Sequence, residues 1–264
     1  MYAFEYRRPE TLSGALADLG DADAKALAGG QTLLPTMKQR LAQPSALVEL
    51  TSLPELKGIV RESDAVVIGA MTRHIDVHQS VIVKEAIPAL AALAGGIGDP
   101  QVRNRGTLGG SLANNDPAAD YPAAALALGA TIFTDKRQIA AEDYFTGLFE
   151  TALESGEIIT RVRFPIPERA AYGKFPNPAS RYAIVGVFVA KTDGGVRVAV
   201  TGAGENGVFR VEPFEAALNA NFSASALDGL AVPAEGLNAD LHADADYRAH
   251  LIGVMARRAV AAAG

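Results

Sequence analysis

Ala28-Gly29-Gly30-Gln31-Thr32 is the first of two glycine-centred runs in this chain, and the second is Thr107-Leu108-Gly109-Gly110-Ser111. Each pair of glycines removes two side chains at a predicted turn, so backbone N–H groups can approach a bulky anion that a Cβ would keep away. The first run leads into residues 33–41, whose apolar spacing predicts an amphipathic helix with Thr32 as its N-cap. One such run alone would favour a simple strand-to-helix turn, but the two together predict a diphosphate site.

The composition indicates a globular chain that does not bind nucleic acid. With 264 residues, 49% of them hydrophobic, the chain can bury a core as one large or two smaller domains. The formal net charge is −6, and no run of Lys or Arg is long enough to follow a phosphate backbone. The N-terminal residues lack the zones of a signal peptide, and no apolar run approaches about 18 residues. We therefore expect a cytoplasmic protein without a transmembrane segment.

Cysteine is absent from the sequence. This excludes disulfides, thiol catalysis, thiolate zinc sites and any iron–sulfur cluster held by cysteines of this chain. If electrons pass through the chain, an organic cofactor must carry them. His74 and His78 are spaced as i and i+4 on a predicted helix, but no third residue with metal-ligand spacing accompanies them. We therefore predict no metal site and place both histidines on the helix surface.

Short elements alternate along the first part of the chain and predict an α+β fold. Residues 121–128 are typical of a helix, with Pro122 in its first turn and Gly129 after its end. Thr11 caps another predicted helix, which Gly20 ends. The other predicted elements are a helix at 87–93 and apolar strands at 47–50, 65–70 and 158–164.

The last third of the chain predicts a smaller domain of antiparallel strands and helices. Strands at 184–191 and 196–201 flank Thr192-Asp193-Gly194-Gly195, which is a strong hairpin signal. A proline-rich loop, Phe175-Pro176-Asn177-Pro178, precedes them and predicts a domain boundary near residue 175. The alanine-rich tail predicts helices, the last of which carries on one face Leu251, Val254 and Met255.

A third glycine-rich stretch, Gly202-Ala203-Gly204-Glu205-Asn206-Gly207, has the spacing of a dinucleotide-binding loop. Its context does not fit, because residues 208–213 open no helix and the preceding strand belongs to a hairpin and not to a βαβ unit. We therefore predict a surface turn here.

The ordered set of motifs resembles one known family. The first glycine run, the stretch Asp99-Pro100-Gln101-Val102-Arg103-Asn104-Arg105-Gly106-Thr107-Leu108-Gly109-Gly110-Ser111, and Lys174-Phe175 closely resemble the FAD-binding medium subunit of molybdenum hydroxylases of the carbon monoxide dehydrogenase and xanthine dehydrogenase type. The resemblance extends over essentially the whole chain. It departs from the family at Thr32, where serine is more usual, and at Ser111, where asparagine or aspartate is common.

The resemblance implies a two-part α+β fold. A two-lobed FAD-binding domain of the vanillyl-alcohol-oxidase (PCMH) type would cover residues 1–175, and a smaller α+β domain with an antiparallel sheet and helices would cover residues 176–264. The implied partners are a large subunit with the molybdenum cofactor and a small subunit with two [2Fe–2S] clusters, in a heterotrimer that dimerises. The absence of cysteine from this chain fits that division.

The resemblance also implies roles for single residues. The two glycine runs would surround the FAD diphosphate. Asp120 would contact the adenosine part, although its position before Tyr121 equally suits a helix N-cap. The Ile159 backbone and the Lys174 ammonium would hold the pyrimidine edge of the flavin, and Tyr182 would lie against the isoalloxazine. The full set of cofactor-binding residues implied is Ala28, Gly29, Gly30, Gln31, Thr32, Leu33, Ile97, Thr107, Gly109, Gly110, Ser111, Ala113, Asp116, Asp120, Ile159, Lys174 and Tyr182.

These observations predict an oxidoreductase subunit. It would take electrons from [2Fe–2S] clusters of a partner and pass them through FAD to an external acceptor. Two alternatives are a stand-alone FAD oxidase of the same fold and a flavin-free scaffold protein. The stretch around Tyr182 differs from that of carbon monoxide dehydrogenase, so the substrate of the complex stays open, as does the acceptor: NAD, quinone or oxygen.

Overall fold

The N-terminal lobe is built on a small parallel sheet. The computed structural model describes residues 1–263, and the strand order in this sheet is β1–β3–β2. Thr11 caps the first helix as predicted, because its Oγ1 accepts a hydrogen bond from the Gly14 N–H at 3.1 Å. The elements are β1 (Glu5–Arg7), α1 (Leu12–Asp18), β2 (Lys25–Leu27), α2 (Leu33–Lys38) and β3 (Ala46–Glu49), followed by a 3₁₀ turn at Pro54–Leu56.

The second lobe is built on a five-stranded antiparallel sheet of order β4–β5–β10–β6–β7. Its strands are β4 (Ile59–Arg61), β5 (Ala65–Gly69), β6 (Thr131–Thr134), β7 (Gln138–Ala140) and β10 (Ile159–Pro165), and a separate hairpin is formed by β8 (Phe145–Gly147) and β9 (Glu150–Thr151). Its helices are α3 (His74–Gln79), α4 (Val81–Ala86), α5 (Pro88–Gly95), α6 (Pro100–Arg103), α7 (Leu108–Asn114), α8 (Tyr121–Leu128) and α9 (Ala141–Tyr144).

Helix α8 lies within the hydrophobic cluster that joins the second lobe to the C-terminal sheet. It has the predicted ends, with Pro122 in the first turn and Gly129 as a left-handed C-cap at φ 64°. All eight of its residues are buried. Its core cluster joins strands of the second lobe to residues of the C-terminal sheet, including Phe188 and Ala199. One hydrophobic cluster therefore spans the two parts of the chain, and the C-terminal part has a second cluster of its own.

The C-terminal part is a four-stranded antiparallel sheet. Helix α8 packs against this sheet, and a second hydrophobic cluster joins the sheet to the C-terminal helices. The predicted hairpin is present, because Thr192 pairs with Gly195 across the Asp193-Gly194 turn. In the last helix Leu251 and Met255 are buried, as expected. The elements are β11 (Arg169–Pro176), β12 (Ala183–Thr192), β13 (Gly195–Thr201), β14 (Phe209–Arg210), α10 (Glu212–Ala220) and α11 (Ala245–Ala262), with a 3₁₀ turn at Ala224–Leu227. The α+β prediction is confirmed.

The sheet begins before the boundary predicted at residue 175. Strand β11 pairs along its whole length with β12, so the strand that ends in Phe175-Pro176 belongs to the C-terminal sheet. Proline is tolerated there because β11 is an edge strand and Pro176 is its last residue. We propose that the boundary lies between Pro165 and Arg169.

Two further local predictions need correction. Helix α2 ends at Lys38 and not at residue 41, because Arg40 takes the left-handed conformation (φ 62°) and turns the chain away. Leu41, predicted on its apolar face, is therefore 75% exposed. The stretch 202–207 is a turn that opens no helix, but it is largely buried: the Gly202 N–H donates to Pro117 O at 2.8 Å. Across residues 1–263, no helix is long and apolar enough to cross a membrane.

Candidate cofactor-binding site

A cleft of about 600 Å³ runs between the two lobes and reaches the C-terminal sheet. This size is ordinary for a small-molecule or cofactor site. The cleft brings together all but one of the residues that the sequence predicted, and Lys174 lies just behind its wall. Those that line it are Ala28, Gly29, Gly30, Gln31, Thr32, Leu33, Ile97, Thr107, Gly109, Gly110, Ser111, Ala113, Asp116, Asp120, Ile159 and Tyr182.

The first glycine run leaves a row of backbone donors free. Gly30 is left-handed (φ 72°), which turns the chain from β2 into α2. Within residues 1–263, the N–H groups of Gly30, Gln31, Thr32 and Leu33 meet no hydrogen-bond acceptor. These four residues line the cleft. Consecutive free N–H groups at a helix start form the kind of concave site that holds a phosphate.

Thr32 is the N-cap residue of α2, as predicted, but its side chain makes no capping hydrogen bond. Its backbone is helical (φ −110°, ψ −53°), and among the described residues its hydroxyl caps no N–H group. The Thr32 carbonyl instead accepts from the N–H and the hydroxyl of Thr36, at 3.1 and 2.9 Å. The Thr32 hydroxyl is therefore available to a ligand in the cleft.

The second glycine run is a helix start and not a turn with free donors. Thr107 is the N-cap of α7, and its Oγ1 accepts from Gly110 N–H at 3.2 Å. The Leu108 and Gly109 N–H groups donate to Thr72 O and Ala70 O, and the Ser111 N–H donates to Thr107 O. The predicted free N–H groups are thus already bonded. This run contributes the positive end of a short helix dipole and a close approach between elements.

The glycines of this second run are required by contacts. A Cβ on Gly109 would lie 2.5 Å from Ala70 Cβ, at the end of β5. A Cβ on Gly110 would lie 2.9 Å from Thr107 Oγ1 and 3.1 Å from Ala28 Cβ, so Gly110 lets the two runs meet. Gly29 makes the reciprocal approach, because a Cβ there would clash with the Arg105 carbonyl.

Asp120 and Lys174 form an ion pair at one end of the cleft. Lys174 Nζ lies 2.9 Å from Asp120 Oδ1 and 3.2 Å from Gly96 O. Tyr172 donates its hydroxyl hydrogen to the same carboxylate, which is only 5% exposed. Burial raises the pKa of Asp120, and Lys174 and Tyr172 oppose that shift. Asp120 is the N-cap residue of α8, as predicted, but its backbone is helical and its side chain bonds to Lys174, so it makes no capping hydrogen bond.

This pair also brings together two residues to which the resemblance gave different roles. FAD carries its adenosine and its flavin on opposite sides of the diphosphate. Asp120 was expected at the adenosine and Lys174 at the flavin, yet their side chains are in contact. The structure therefore places these two side chains beside each other, 2.9 Å apart. Tyr182 lies at this end too, close enough to Asp116 and Asp120 for their charges to raise its pKa, although burial is the larger cause.

His74 is a site residue that sequence reasoning placed wrongly. It begins α3 as predicted but is 5% exposed, and it lines the cleft beside Gly106. Burial lowers the pKa of His74 to about 4, so the imidazole is neutral near pH 7. Its Nδ1 meets no hydrogen-bond partner in the described part of the chain. His78 is less buried than His74 but is also turned inward, because its Nδ1 lies 2.8 Å from Ala91 O. The i, i+4 spacing signalled a shared face but not that the face is inward.

Another part of the cleft is mostly apolar and was missed apart from Ile159. It is lined by Phe149, Leu153, Glu157 and Ile158. The pairing of β10 with β5 starts only at Arg161, so Ile159 lies beyond that ladder. Hydrogen bonds from Arg137 hold the pKa of Glu157 at about 2, and this carboxylate is therefore engaged by its own protein neighbours. Gly147 and Gly156 occur in this stretch, but neither indicates that the residues beside them line a cleft.

Comparisons with known proteins find relatives over nearly the whole chain. Residues 2–167 match the family described as the FAD binding domain in molybdopterin dehydrogenase. The carbon monoxide dehydrogenase medium chain of Hydrogenophaga pseudoflava is 37% identical, over 98% of this chain and 96% of that protein. The nicotine 6-hydroxylase medium subunit of Paenarthrobacter nicotinovorans is 36% identical, over 99% and 98%. A solved carbon monoxide dehydrogenase from Hydrogenophaga pseudoflava matches with a TM-score of 0.88 at 38% identity, covering 99% of this chain and 97% of that one.

Proposed function

Since this chain belongs to the family of FAD-binding domains in molybdopterin dehydrogenases, an oxidoreductase family, we propose that it is the electron-transfer subunit of a molybdenum hydroxylase. It would receive electrons from [2Fe–2S] clusters of a partner subunit and deliver them to an external acceptor. The observation that carries this proposal is the row of four free N–H groups from Gly30 to Leu33, which faces a cleft of cofactor size. Such a row suits a diphosphate.

The chain's residues fit FAD along the whole cleft. The diphosphate would lie against the first glycine run, beside the N-terminal end of α7 and in reach of the Thr32 hydroxyl. Gly110 supports this placement, because a larger side chain would fill the space between the two runs. Adenosine and flavin would then occupy the two ends of the cleft.

We assign the flavin to the end that carries Asp120, Lys174 and Tyr182. The Asp120–Lys174 pair would face the pyrimidine edge, where the charge of the flavin changes on reduction. Tyr182 is 48% exposed and can cover a ring face while leaving the ring open to an acceptor. The adenosine would take the apolar end, where Ile159 would offer its backbone to the edge of the base. This reverses the roles that the resemblance gave to Asp120 and Ile159.

FAD supplies the capacity to accept and release electrons one or two at a time. The chain would hold the cofactor and set its surroundings. The buried Asp120–Lys174 pair is neutral as a unit, and the Lys174 ammonium is fixed by the carboxylate and by Gly96 O. Its position is thus preorganised.

The partners are proposed from the composition and from the relatives. A chain without cysteine cannot hold an iron–sulfur cluster through thiolates, so the clusters must come from another subunit. The relatives are named as medium chains or medium subunits of a carbon monoxide dehydrogenase and a nicotine 6-hydroxylase. We propose a heterotrimer with a molybdenum-cofactor large subunit and a [2Fe–2S] small subunit, dimerised as a whole. The large subunit would determine the substrate.

Co-purification of the chain with its partners tests this proposal. We expect an oxidised flavin spectrum from the chain alone, stoichiometric FAD on extraction, and iron only in the complex. Reduction of the flavin should require the reduced iron–sulfur partner. A colourless chain would favour a scaffold, and reduction by a small organic substrate without partners would favour a stand-alone oxidase. Stoichiometric iron in the isolated chain would contradict the proposal.

A further inference from the structure

An exposed aromatic residue stands at the tip of the β8–β9 hairpin. Leu148 and Phe149 form the tip, and Phe149 is 54% exposed although it lines the cofactor cleft. Its backbone is left-handed (φ 56°), a conformation that residues with a bulky side chain rarely adopt. Strain of this kind persists only where neighbouring contacts enforce it, and it concentrates at ligand-binding positions.

Asn115 enforces the position of this hairpin. Its Nδ2 donates to Gly147 O at 3.0 Å and to Glu150 O at 2.8 Å, and so ties both strands on either side of the tip. Asn115 is buried and is itself left-handed (φ 42°), as the C-cap of α7. The helix that begins at the second glycine run therefore ends on the residue that holds Phe149.

The surroundings of Phe149 suit an uncharged aromatic ring. Leu153, Ile158 and Ile159 line the cleft together with Phe149. Aromatic side chains bind nucleobases by stacking on their faces, which needs an accessible ring in a fixed position. Phe149 has both properties.

We propose that Phe149 is a stacking platform for the adenine ring of FAD and that Asn115 is the residue that positions it. This inference rests on the proposed function, because it takes the cofactor to be FAD with its adenosine at the Ile159 end. It explains why an exposed phenyl ring that lines the cleft is kept in a left-handed backbone conformation.

The test compares the affinities of the flavin-free chain for FAD, FMN and ADP in Phe149→Ala and in a matched control, Leu148→Ala. Leu148 is the other exposed apolar residue of the tip and does not line the cleft. Phe149→Ala should weaken FAD and ADP binding by about 5- to 100-fold, the usual range for one base stack, and leave FMN binding unchanged. Phe149→Tyr should restore FAD binding, and Leu148→Ala should match the wild type.

The outcomes separate this inference from the proposed function. Equal losses for FAD and FMN, or no loss for FAD and ADP, would overturn the stacking role. A wild-type chain that binds ADP through Phe149 but neither FAD nor FMN would uphold the subsite and overturn the flavoprotein function. A wild-type chain that binds none of the three would overturn both.

Asn115→Gly tests the positioning role, since glycine keeps the left-handed backbone and deletes only the amide. It should lower FAD affinity by a smaller factor than Phe149→Ala, with FMN affinity unchanged. FAD affinity equal to that of the wild type would show that the hairpin needs no tie.

Discussion

Asp120 and Lys174 illustrate how the chemistry of single residues depends on partners far along the chain. The carboxylate lies at the start of α8 and the ammonium on β11, 54 residues later. Removing Lys174 would leave a buried carboxylate whose pKa burial already raises, so that it would take up a proton and the site would remain uncharged. Removing the charge of Asp120 instead leaves a cation. The two substitutions are therefore not mirror images.

Asp120→Asn should raise the midpoint potential of the bound FAD, because the uncompensated Lys174 ammonium stabilises the reduced, more anionic flavin. For a two-electron couple a change of about 30 mV corresponds to ~1.4 kcal/mol. Lys174→Met should shift the potential much less. Folding stability should fall by about 3 kcal/mol in Asp120→Asn, since one partner of a buried pair stays charged. Redox titration at equal flavin occupancy decides: a lowered or unchanged potential in Asp120→Asn would exclude the proposed flavin end.

His74 gives a pH dependence to stability. Its pKa is about 4 in the folded chain and about 6.5 when unfolded, so between these values the unfolded chain binds more protons. The contribution of the neutral imidazole is complete above about pH 6.5 and is lost as the pH falls towards 4, by about 3 kcal/mol in all. Urea unfolding of wild type and His74→Gln across this range should show a flatter profile for the variant. Parallel profiles would mean that folding does not shift the pKa of His74.

At the scale of elements, the two neighbouring glycines of helix α7 have different functions. Gly109→Ala should destabilise the fold by about 1 to 3 kcal/mol, because the new methyl group would press on Ala70 and the end of β5. Gly110→Val should chiefly abolish FAD binding, because Gly110 faces the cleft and Ala28. Thermal melts of both variants without flavin, set beside their flavin content, would distinguish the two. A Gly110→Val protein that keeps full occupancy would contradict the assignment of the diphosphate.

The positions of proline and glycine explain which elements the sequence predicts well. Pro122 and Gly129 mark both ends of α8, and Asp193-Gly194 marks the β12–β13 turn, because proline and glycine restrict the backbone wherever they occur. The same rules overextended α2, since Arg40 adopts a left-handed conformation that no glycine announces.

The sequence predicted which residues line the site better than it predicted their hydrogen bonds. The glycine runs and the family motifs name sixteen residues that do line the cleft, but which donors stay free depends on tertiary partners. The N–H groups of the second run are occupied by Thr72 and Ala70, thirty or more positions earlier in the chain. The inward position of His74 and the apolar end around Phe149 depend on packing in the same way. No local pattern carries this information.

At the scale of the whole molecule, the shared core around α8 couples both parts of the chain. The eight residues of α8 pack against β10 of the second lobe and against β12 and β13 of the C-terminal sheet. A chain cut after residue 167 would expose this helix to water.

The whole chain should therefore unfold in a single thermal transition, with equal calorimetric and van't Hoff enthalpies. The fragment 1–167 contains the full stretch that matches the family. Even where this fragment stays in solution, it should not unfold cooperatively. Two resolved calorimetric peaks in the intact protein would contradict the shared core.

The burial of α8 between two sheets also limits how this subunit can be recombined with its relatives. Exchanging residues 168–264 for the corresponding part of another medium chain would set foreign side chains of β12 and β13 against the alanine-rich surface of this helix. Chimeras should work only when α8 is transplanted together with the sheet it touches. The crossover point for such grafts therefore lies before Tyr121, inside the sequence stretch that the family regards as one domain.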